Sequence, residues 1–446
     1  MNALRTLPKV DKCLTHSLFE GCNATLMMKI ARTKIEEIRQ QLIHKEIESF
    51  NEEALMQEIK KAYDALFEPS LKPLINATGV ILHTNMGRSL ISKTLLDRAS
   101  DVICNYSNLE YNVELGSRGE RYEHVSRHLK ELLNVEDVLV VNNNASAVFL
   151  ILNTFAKNRE VVVSRGELVE IGGSFRIPEV MKQSGAILNE VGATNKTKVT
   201  DYANAINENT AMLMKVHQSN FSIEGFSEAV EYESLKQLAS NHNLLDYYDL
   251  GSGYVPKLPY NLGHREHSLG EILTCNPSLI SFSGDKLFGS VQAGIIAGRA
   301  DLIAKLKKNQ LLRMLRVDKI TLSLLEESIK AYLREEYEQI PTLWLLFRTT
   351  EDLEQRALHV KEIIGENACE VVGSETYMGG GTLPNRRFPT IALHVKGKAT
   401  ALERQFREKH VIGRIENDQF LLDFRTILPS VEEKLIETIK LIIGTH

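Results

Sequence analysis

Leu279-Ile280-Ser281-Phe282-Ser283-Gly284-Asp285-Lys286 is a short apolar run that ends in Ser-x-x-Lys. Gln292-Ala293-Gly294-Ile295-Ile296-Ala297-Gly298 follows and reads as a second strand turning back. A primary amine at the mouth of a buried strand can condense with an aldehyde cofactor. A hydroxyl one turn earlier, here Ser283, can take a phosphate oxygen. A lysine just past a strand is more often a solvated charge, so the octet needs support from elsewhere in the chain.

Three further strand ends supply that support. Asp249 closes Leu244-Leu245-Asp246-Tyr247-Tyr248-Asp249 and precedes Leu250-Gly251-Ser252-Gly253. A buried carboxylate there would keep a pyridine nitrogen protonated, which an electron-sink cofactor requires. It lies 37 residues before Lys286, room for one crossover helix and a strand. The plainer reading is an Asp opening a Gly-rich turn, and Asp246 competes from inside the apolar run, one residue out of parity. Val141-Asn142-Asn143-Asn144-Ala145-Ser146-Ala147 ends a strand and begins a helix with small residues. Free N–H groups at such a start, at Asn144, Ala145 and Ser146, suit a phosphate dianion, although Asn is also an ordinary helix cap. Lys215-Val216-His217-Gln218-Ser219-Asn220 closes another strand, where His217 or Asn220 could donate to a phenolic oxygen or pack on a ring. Phosphate loop, polar strand end, Asp and Ser-x-x-Lys, in that order, resemble the parts that a fold-type I pyridoxal 5'-phosphate enzyme presents.

Arginines form the next layer. Arg88 stands in His83-Thr84-Asn85-Met86-Gly87-Arg88, and Arg118 and Arg121 in Gly116-Ser117-Arg118-Gly119-Glu120-Arg121. Arg313 and Arg316 are three apart, so they share a helix face. Paired arginines grip a phosphate or carboxylate bidentately. The neighbouring Leu311, Leu312, Met314 and Leu315 suggest burial on both faces, and a buried Arg needs an anion. Basic residues snorkelling from a surface helix are the ordinary alternative.

The elements around these residues follow from periodicity. Lys29 to Ile43 and Glu52 to Phe67 carry apolar residues at helical spacing before Pro69 and Pro73. From Leu74 to about residue 300, β-branched runs alternate with helical stretches: Val138–Val141, Val161–Val163, Ala186–Val191, Ala211–Val216, Leu244–Tyr248 and Leu279–Phe282. That alternation predicts an α/β fold with a mostly parallel central sheet flanked by helices, whose ligands bind beyond the carboxyl ends of the strands. Residues 300–340 read as long helix, and the remainder mixes helices (Thr350–Ile364, Thr400–Lys409) with strands (Thr390–Val395, Phe420–Phe424). The expected domains are a small helical one at residues 1–68, a large cofactor-binding one at 69–320 and an α+β one at 321–446.

Composition excludes several classes. The 446 residues can bury a large core, and 43% apolar with 25% charged residues is ordinary for a globular protein. Five scattered cysteines without a CxxC pair argue against a disulfide framework and a zinc site, so no metal is expected. No apolar run approaches a membrane span, and the expected compartment is the cytoplasm. The net charge of −5 does not announce a nucleic-acid binder, though residues 1–50 carry a small basic excess.

Longer blocks resemble a known family. Ile75-Asn76-Ala77-Thr78-Gly79-Val80-Ile81-Leu82-His83-Thr84-Asn85, Tyr106-Ser107-Asn108-Leu109-Glu110-Tyr111, the run Ser164 to Pro178 and Ser283-Gly284-Asp285-Lys286-Leu287 are similar to bacterial L-seryl-tRNA(Sec) selenium transferases, the selenocysteine synthases. Leu7-Pro8-Lys9-Val10-Asp11, Ile412-Gly413-Arg414-Ile415 and Leu422-Asp423-Phe424-Arg425-Thr426 extend the resemblance to both ends. It implies a fold-type I transferase that turns seryl-tRNA(Sec) into selenocysteinyl-tRNA(Sec). It also implies a homodecamer built as a pentamer of dimers, with the N-terminal domain holding the tRNA. Lys286 would be the Schiff-base lysine, and Arg88, Arg313 and Arg316 the anion grip for selenophosphate. Freed Lys286 would take the α-proton. Loss of the β-hydroxyl, with Asp285 carrying a proton, would give an aminoacrylyl (dehydroalanyl) intermediate to which selenium adds. Such proteins usually carry Gly-Gly-Pro-Gln after the lysine, where this chain has Gly289-Ser290-Val291-Gln292. The alternatives are a related lyase acting on a small amino acid or amino sugar, and a catalytically idle tRNA-binding protein.

Overall fold

The computed structural model describes residues 3–171, 175–219, 221, 223, 225–263, 267–365 and 367–444. They divide into two compact units, Met1–Pro73 and Leu74–His446.

The first unit is built on two helices, α1 (Ala24–Ile43) and α2 (Glu52–Ala65). Each begins at an asparagine whose side-chain oxygen accepts a backbone N–H three residues on: Asn23 from Leu26 and Asn51 from Ala54, both at 3.0 Å. Met27, Ala31 and Ile35 of α1 pack with Leu55, Met56 and Ile59 of α2, the spacing of one helical stripe. Each large side chain there contributes about 1.5–3 kcal/mol by leaving water. The Tyr63 hydroxyl accepts the Asn23 N–H at 2.8 Å and pins the start of α1 to the end of α2.

The second unit is centred on seven strands: β1 (Asp137–Val141), β2 (Glu160–Ser164), β3 (Ile187–Val191), β4 (Thr210–Val216), β5 (Leu245–Gly251), β6 (Leu279–Ser283) and β7 (Gly294–Gly298). Their order is β1-β7-β6-β5-β4-β2-β3, parallel except for β7, which runs against both neighbours. Every apolar run expected to be a strand is one. Both faces are covered, so strands such as Val138-Leu139-Val140-Val141 are apolar without alternation. Parity assigns the faces. Leu139, Val141, Met212, Met214, Tyr247, Leu279 and Ile296 pack with α3 (Asn144–Phe155), whereas Val140, Leu213, Tyr248 and Ile280 point the other way. Asp249, two residues from Tyr247, therefore faces α3, and Asp246 does not.

The long helix expected over 300–340 is three: α4 (Ala300–Lys308), α5 (Leu312–Leu315) and α6 (Lys319–Leu333). Short polar side chains interrupt it. Asn309 spends its amide on Asn153 and Thr154 and its oxygen on the Leu311 N–H, while Asp318 caps α6 through Thr321 N–H at 2.8 Å.

Towards the C-terminus an antiparallel sheet holds β8 (Cys369–Gly379), β9 (Thr382–Val395), β10 (Arg414–Glu416) and β11 (Gln419–Asp423) in the order β8-β9-β11-β10. Helices α7 (Thr350–Ile364), α8 (Ala399–Glu408) and α9 (Glu432–Ile443) share its core. The β8–β9 turn uses Gly379-Gly380-Gly381, all at positive φ, and a Cβ on Gly379 would lie 2.3 Å from Val80. Ile75–Asn76 pairs in parallel with Val411–Ile412, so the strand that opens the second unit belongs beside this sheet. Among the described residues no helix is long and apolar enough to cross a membrane.

Candidate active site

The strand register lines the polar residues up. Asp249 of β5 pairs with Val216 of β4 and with Ser281 of β6, and Ser283 pairs with Gly294, which pairs with Val141. One row at the carboxyl ends thus runs from His217 past Asp249 and Ser283 to the Asn142–Asn144 turn. Gly294 is what permits it: a Cβ there would lie 2.2 Å from the Asn143 carbonyl and 2.9 Å from the Asn144 nitrogen.

Asp249 is buried. Its Oδ1 accepts from Asn144 Nδ2 at 2.8 Å, from Gly251 N–H at 3.2 Å and from the Ser281 hydroxyl at 3.5 Å. Burial raises its proton affinity, while the Asn144 hydrogen bond, Lys286, the Gly251 N–H and His217 act against that. Oδ2 has no donor among the described residues. Asp246, the competing candidate, is committed elsewhere. It accepts from the Tyr232 hydroxyl at 2.5 Å and from Ser278 N–H and Oγ at 2.9 and 2.5 Å.

Lys286 is 5% exposed in a tight turn after β6. Gly284 N–H donates to Ala293 O, Ser290 N–H to Gly284 O and Gly289 N–H to Lys286 O, each at 2.8 Å. Gly289 adopts φ 72°, and a Cβ on Gly284 would lie 2.6 Å from Val291 O. Ser290, where the resembled sequences have glycine, is buried and donates to the Ser328 hydroxyl at 2.7 Å, tying the turn to α6. Burial holds the Lys286 amine below the ordinary lysine range. Asp249 and Asp285 pull it up again, and Arg88 pushes it further down.

Asp285, also buried, pairs with Arg88 at 2.9 Å. Arg88 takes left-handed backbone (φ 62°) directly after Gly87 (φ 93°), a strained conformation for a long side chain. Its N–H bonds to His83 O at 3.1 Å, and Ser89 N–H to Asp285 O at 3.4 Å, so two segments remote in sequence are joined beside Lys286.

The three asparagines divide their work. Asn142 N–H donates to Leu315 O at 2.9 Å, Asn143 caps α3 through Ser146 N–H at 2.9 Å, and Asn144 reaches Asp249. The Asn144 and Ala145 N–H groups at the start of α3 have no partner among the described residues. Ala145 and Ser146 line a cleft of about 440 Å³ with Asn143, Arg176 and Leu315; Arg176 was not singled out from sequence. His217 donates its N–H to Asp249 O at 2.9 Å and lines a cavity of about 540 Å³ with Glu167, Lys215 and Arg386. Asn220 lies outside the described residues.

Arg313 and Arg316 depart from expectation. Both are exposed, and Met314 between them is 69% exposed. The helix α5 has a single turn, so apolar neighbours do not enclose it. Neither arginine pairs with Asp285 among the described residues. With Arg118, Arg121, Lys307 and Lys308 they line a separate cleft of about 400 Å³. Glu110 is its counter-charge, 2.8 Å from Arg121, 3.5 Å from Arg118 and 3.6 Å from Arg316.

These groups fit pyridoxal 5'-phosphate: a buried amine for the aldehyde, a buried carboxylate with one open oxygen for the ring nitrogen, and helix N–H groups beside Ser283 for the phosphate. One pH effect follows. Condensation needs the neutral amine, so the rate of cofactor attachment to the apoprotein should rise with pH about a midpoint below that of ordinary lysine, roughly 10.4. Arg88→Ala should move that midpoint upward, since Arg88 disfavours the ammonium. Initial rates of visible-absorbance growth across pH measure it, and a midpoint at or above the ordinary value contradicts the burial argument.

Residues 74–428 match the family model described as "SelA: L-seryl-tRNA selenium transferase". The L-seryl-tRNA(Sec) selenium transferase of Aliarcobacter butzleri is 56% identical over 445 residues, covering 99% of this chain and 98% of that protein. The protein of the same name from Sulfurimonas denitrificans is 54% identical, covering 99% of each. Among solved structures, D-glucosaminate-6-phosphate ammonia-lyase superposes with a TM-score of 0.61 at 18% identity, over 86% of this chain and 98% of that one. That last likeness is one of fold.

Proposed function

Because the chain belongs to the L-seryl-tRNA selenium transferase family, we propose that it converts L-seryl-tRNA(Sec) to L-selenocysteinyl-tRNA(Sec) with pyridoxal 5'-phosphate on Lys286. The observation that carries this reading is buried Lys286 set between Asp249 and the Asp285–Arg88 pair. When bound, the cofactor supplies an electron sink for the carbanion left at the serine α-carbon.

The chain's own residues do the rest. Lys286, as the free amine, would take the serine α-proton; burial holds its basicity down and keeps it neutral enough to do so. Asp285, held by Arg88, relays the α-proton taken up by Lys286 to the departing β-hydroxyl oxygen, which leaves as water. The serine Cβ–O bond breaks and a Cβ–Se bond forms, with selenium delivered by selenophosphate and orthophosphate released on hydrolysis. Arg88 binds the donor's phosphate beside Lys286, and Arg313 and Arg316, which within one chain line a separate cleft, add to that grip only across subunits of the assembled enzyme. The α3 N–H groups and Ser283 would hold the cofactor phosphate, and His217 would flank the ring.

The same reading gives residues 1–68 to the tRNA, 69–320 to the cofactor and 321–446 to a smaller α+β domain. It also makes the working enzyme a cytoplasmic homodecamer, a pentamer of dimers. The resemblance over nearly the whole chain supports both. The test is incubation with seryl-tRNA(Sec) and selenophosphate, beside parallel reactions with free L-serine and amino sugars. Selenium should appear in the aminoacyl ester of the tRNA alone. Ammonia released from a free amino acid or amino sugar, with seryl-tRNA unchanged, would establish the lyase instead.

A further inference from the structure

We infer that the Asn144 side chain is a positioning group for Asp249 and takes no part in holding the cofactor phosphate, which meets Asn144 only through its backbone N–H. Three observations carry this. Asn144 Nδ2 lies 2.8 Å from Asp249 Oδ1, the shortest of the hydrogen bonds that carboxylate accepts. All its donors converge on Oδ1, which orients the carboxylate so that Oδ2 is left for a ring N–H. The amide can point only one way, because turning its oxygen toward Asp249 would oppose two acceptors.

The arrangement also has a cost that a simple cap would not incur. Asn144 Oδ1 is buried without a donor among the described residues, and the cap itself is made by Asn143. A side chain committed to Asp249 in this way is not available to a phosphate. That group is left to the Asn144 and Ala145 N–H groups, to Ser146 and to Ser283 across Gly294. Because α3 covers the face of the sheet to which Asp249 points, helix packing sets the distance between the phosphate end and the ring-nitrogen end of the site. Asn144 is the strut between them.

The inference rests on the pyridoxal-phosphate reading, and the experiment separates the two. Apoprotein of the wild type, Asn144→Ala, Asp249→Ala and the double variant is titrated with pyridoxal 5'-phosphate and with pyridoxal, which lacks the phosphate. If the wild type develops no lysine-bound absorbance with pyridoxal 5'-phosphate, the cofactor reading itself fails. Given that absorbance, Asn144→Ala should weaken both ligands by the same factor, roughly tenfold to a hundredfold for a charge-assisted hydrogen bond. It should add nothing in the Asp249→Ala background. The pH midpoint of the bound-cofactor absorbance should move upward, because a less protonated ring repels the proton on the Lys286-linked nitrogen less. Loss of affinity for pyridoxal 5'-phosphate alone, or an undiminished effect in the Asp249→Ala background, overturns the inference. So does wild-type behaviour.

Discussion

Replacing Lys286 by alanine is expected to abolish lysine-bound cofactor absorbance and to lower selenocysteinyl-tRNA formation by at least about 10³-fold. Two roles are lost together. The amine that anchors the cofactor disappears, and so does the base positioned for the α-proton. The substitution should not unfold the protein. A buried amine that burial pushes toward neutrality is itself unfavourable to folding, and its turn is held by backbone bonds from Gly284, Gly289 and Ser290. Apoprotein melting compared with the wild type, together with single-turnover rates, separates a chemical defect from a folding one. Wild-type turnover by this variant would remove Lys286 from the mechanism.

Asp249→Asn is the second large effect, a loss of about 10²–10³-fold in turnover, the usual cost of removing one preorganised charge. The amide can still accept from Asn144 at Oδ1, but its NH₂ then stands where Oδ2 should receive the ring N–H. The ring would lose its proton and with it the capacity to draw electrons from the α-carbon. Stability should move the other way. The folded-state proton affinity of Asp249 is raised, chiefly by burial. Its ionised form therefore costs stability, increasingly as pH rises from the unfolded carboxylate value through the raised folded one. At neutral pH the Asp249→Asn apoprotein should melt at or above the wild-type temperature. A lower melting temperature, or unchanged turnover, contradicts this assignment.

Much of the site was legible because strand ends carry a period-two signal. Asp249 and Tyr247 share a face, Asp246 is out of step, and Asp246 is indeed occupied by Tyr232 and Ser278. The order of loop, polar strand end, Asp and Lys also survived folding, because a parallel sheet brings successive carboxyl ends to one edge. What lay hidden depends on long-range packing. Nothing local says that Asn144 reaches Asp249, 105 residues away, nor that Arg88 meets Asp285. At Arg313–Arg316 the flanking Leu and Met predict burial, whereas a one-turn helix broken by Asn309 and ended at Arg316 leaves Met314 in solvent. The β8–β9 hairpin extends well beyond the Thr390–Val395 strand that the sequence predicts. Only its second half alternates clearly, and the three glycines that turn it belong to no strand pattern.

The most direct test of the account follows the serine β-carbon. Holoprotein is given seryl-tRNA(Sec) with selenophosphate, the aminoacyl ester is hydrolysed, and the amino acid is identified by mass, with Lys286→Ala run alongside. Selenocysteine from the wild type and unchanged serine from the variant is the expected result. Unchanged serine from a wild type with normal cofactor absorbance, or selenocysteine from Lys286→Ala, would contradict it.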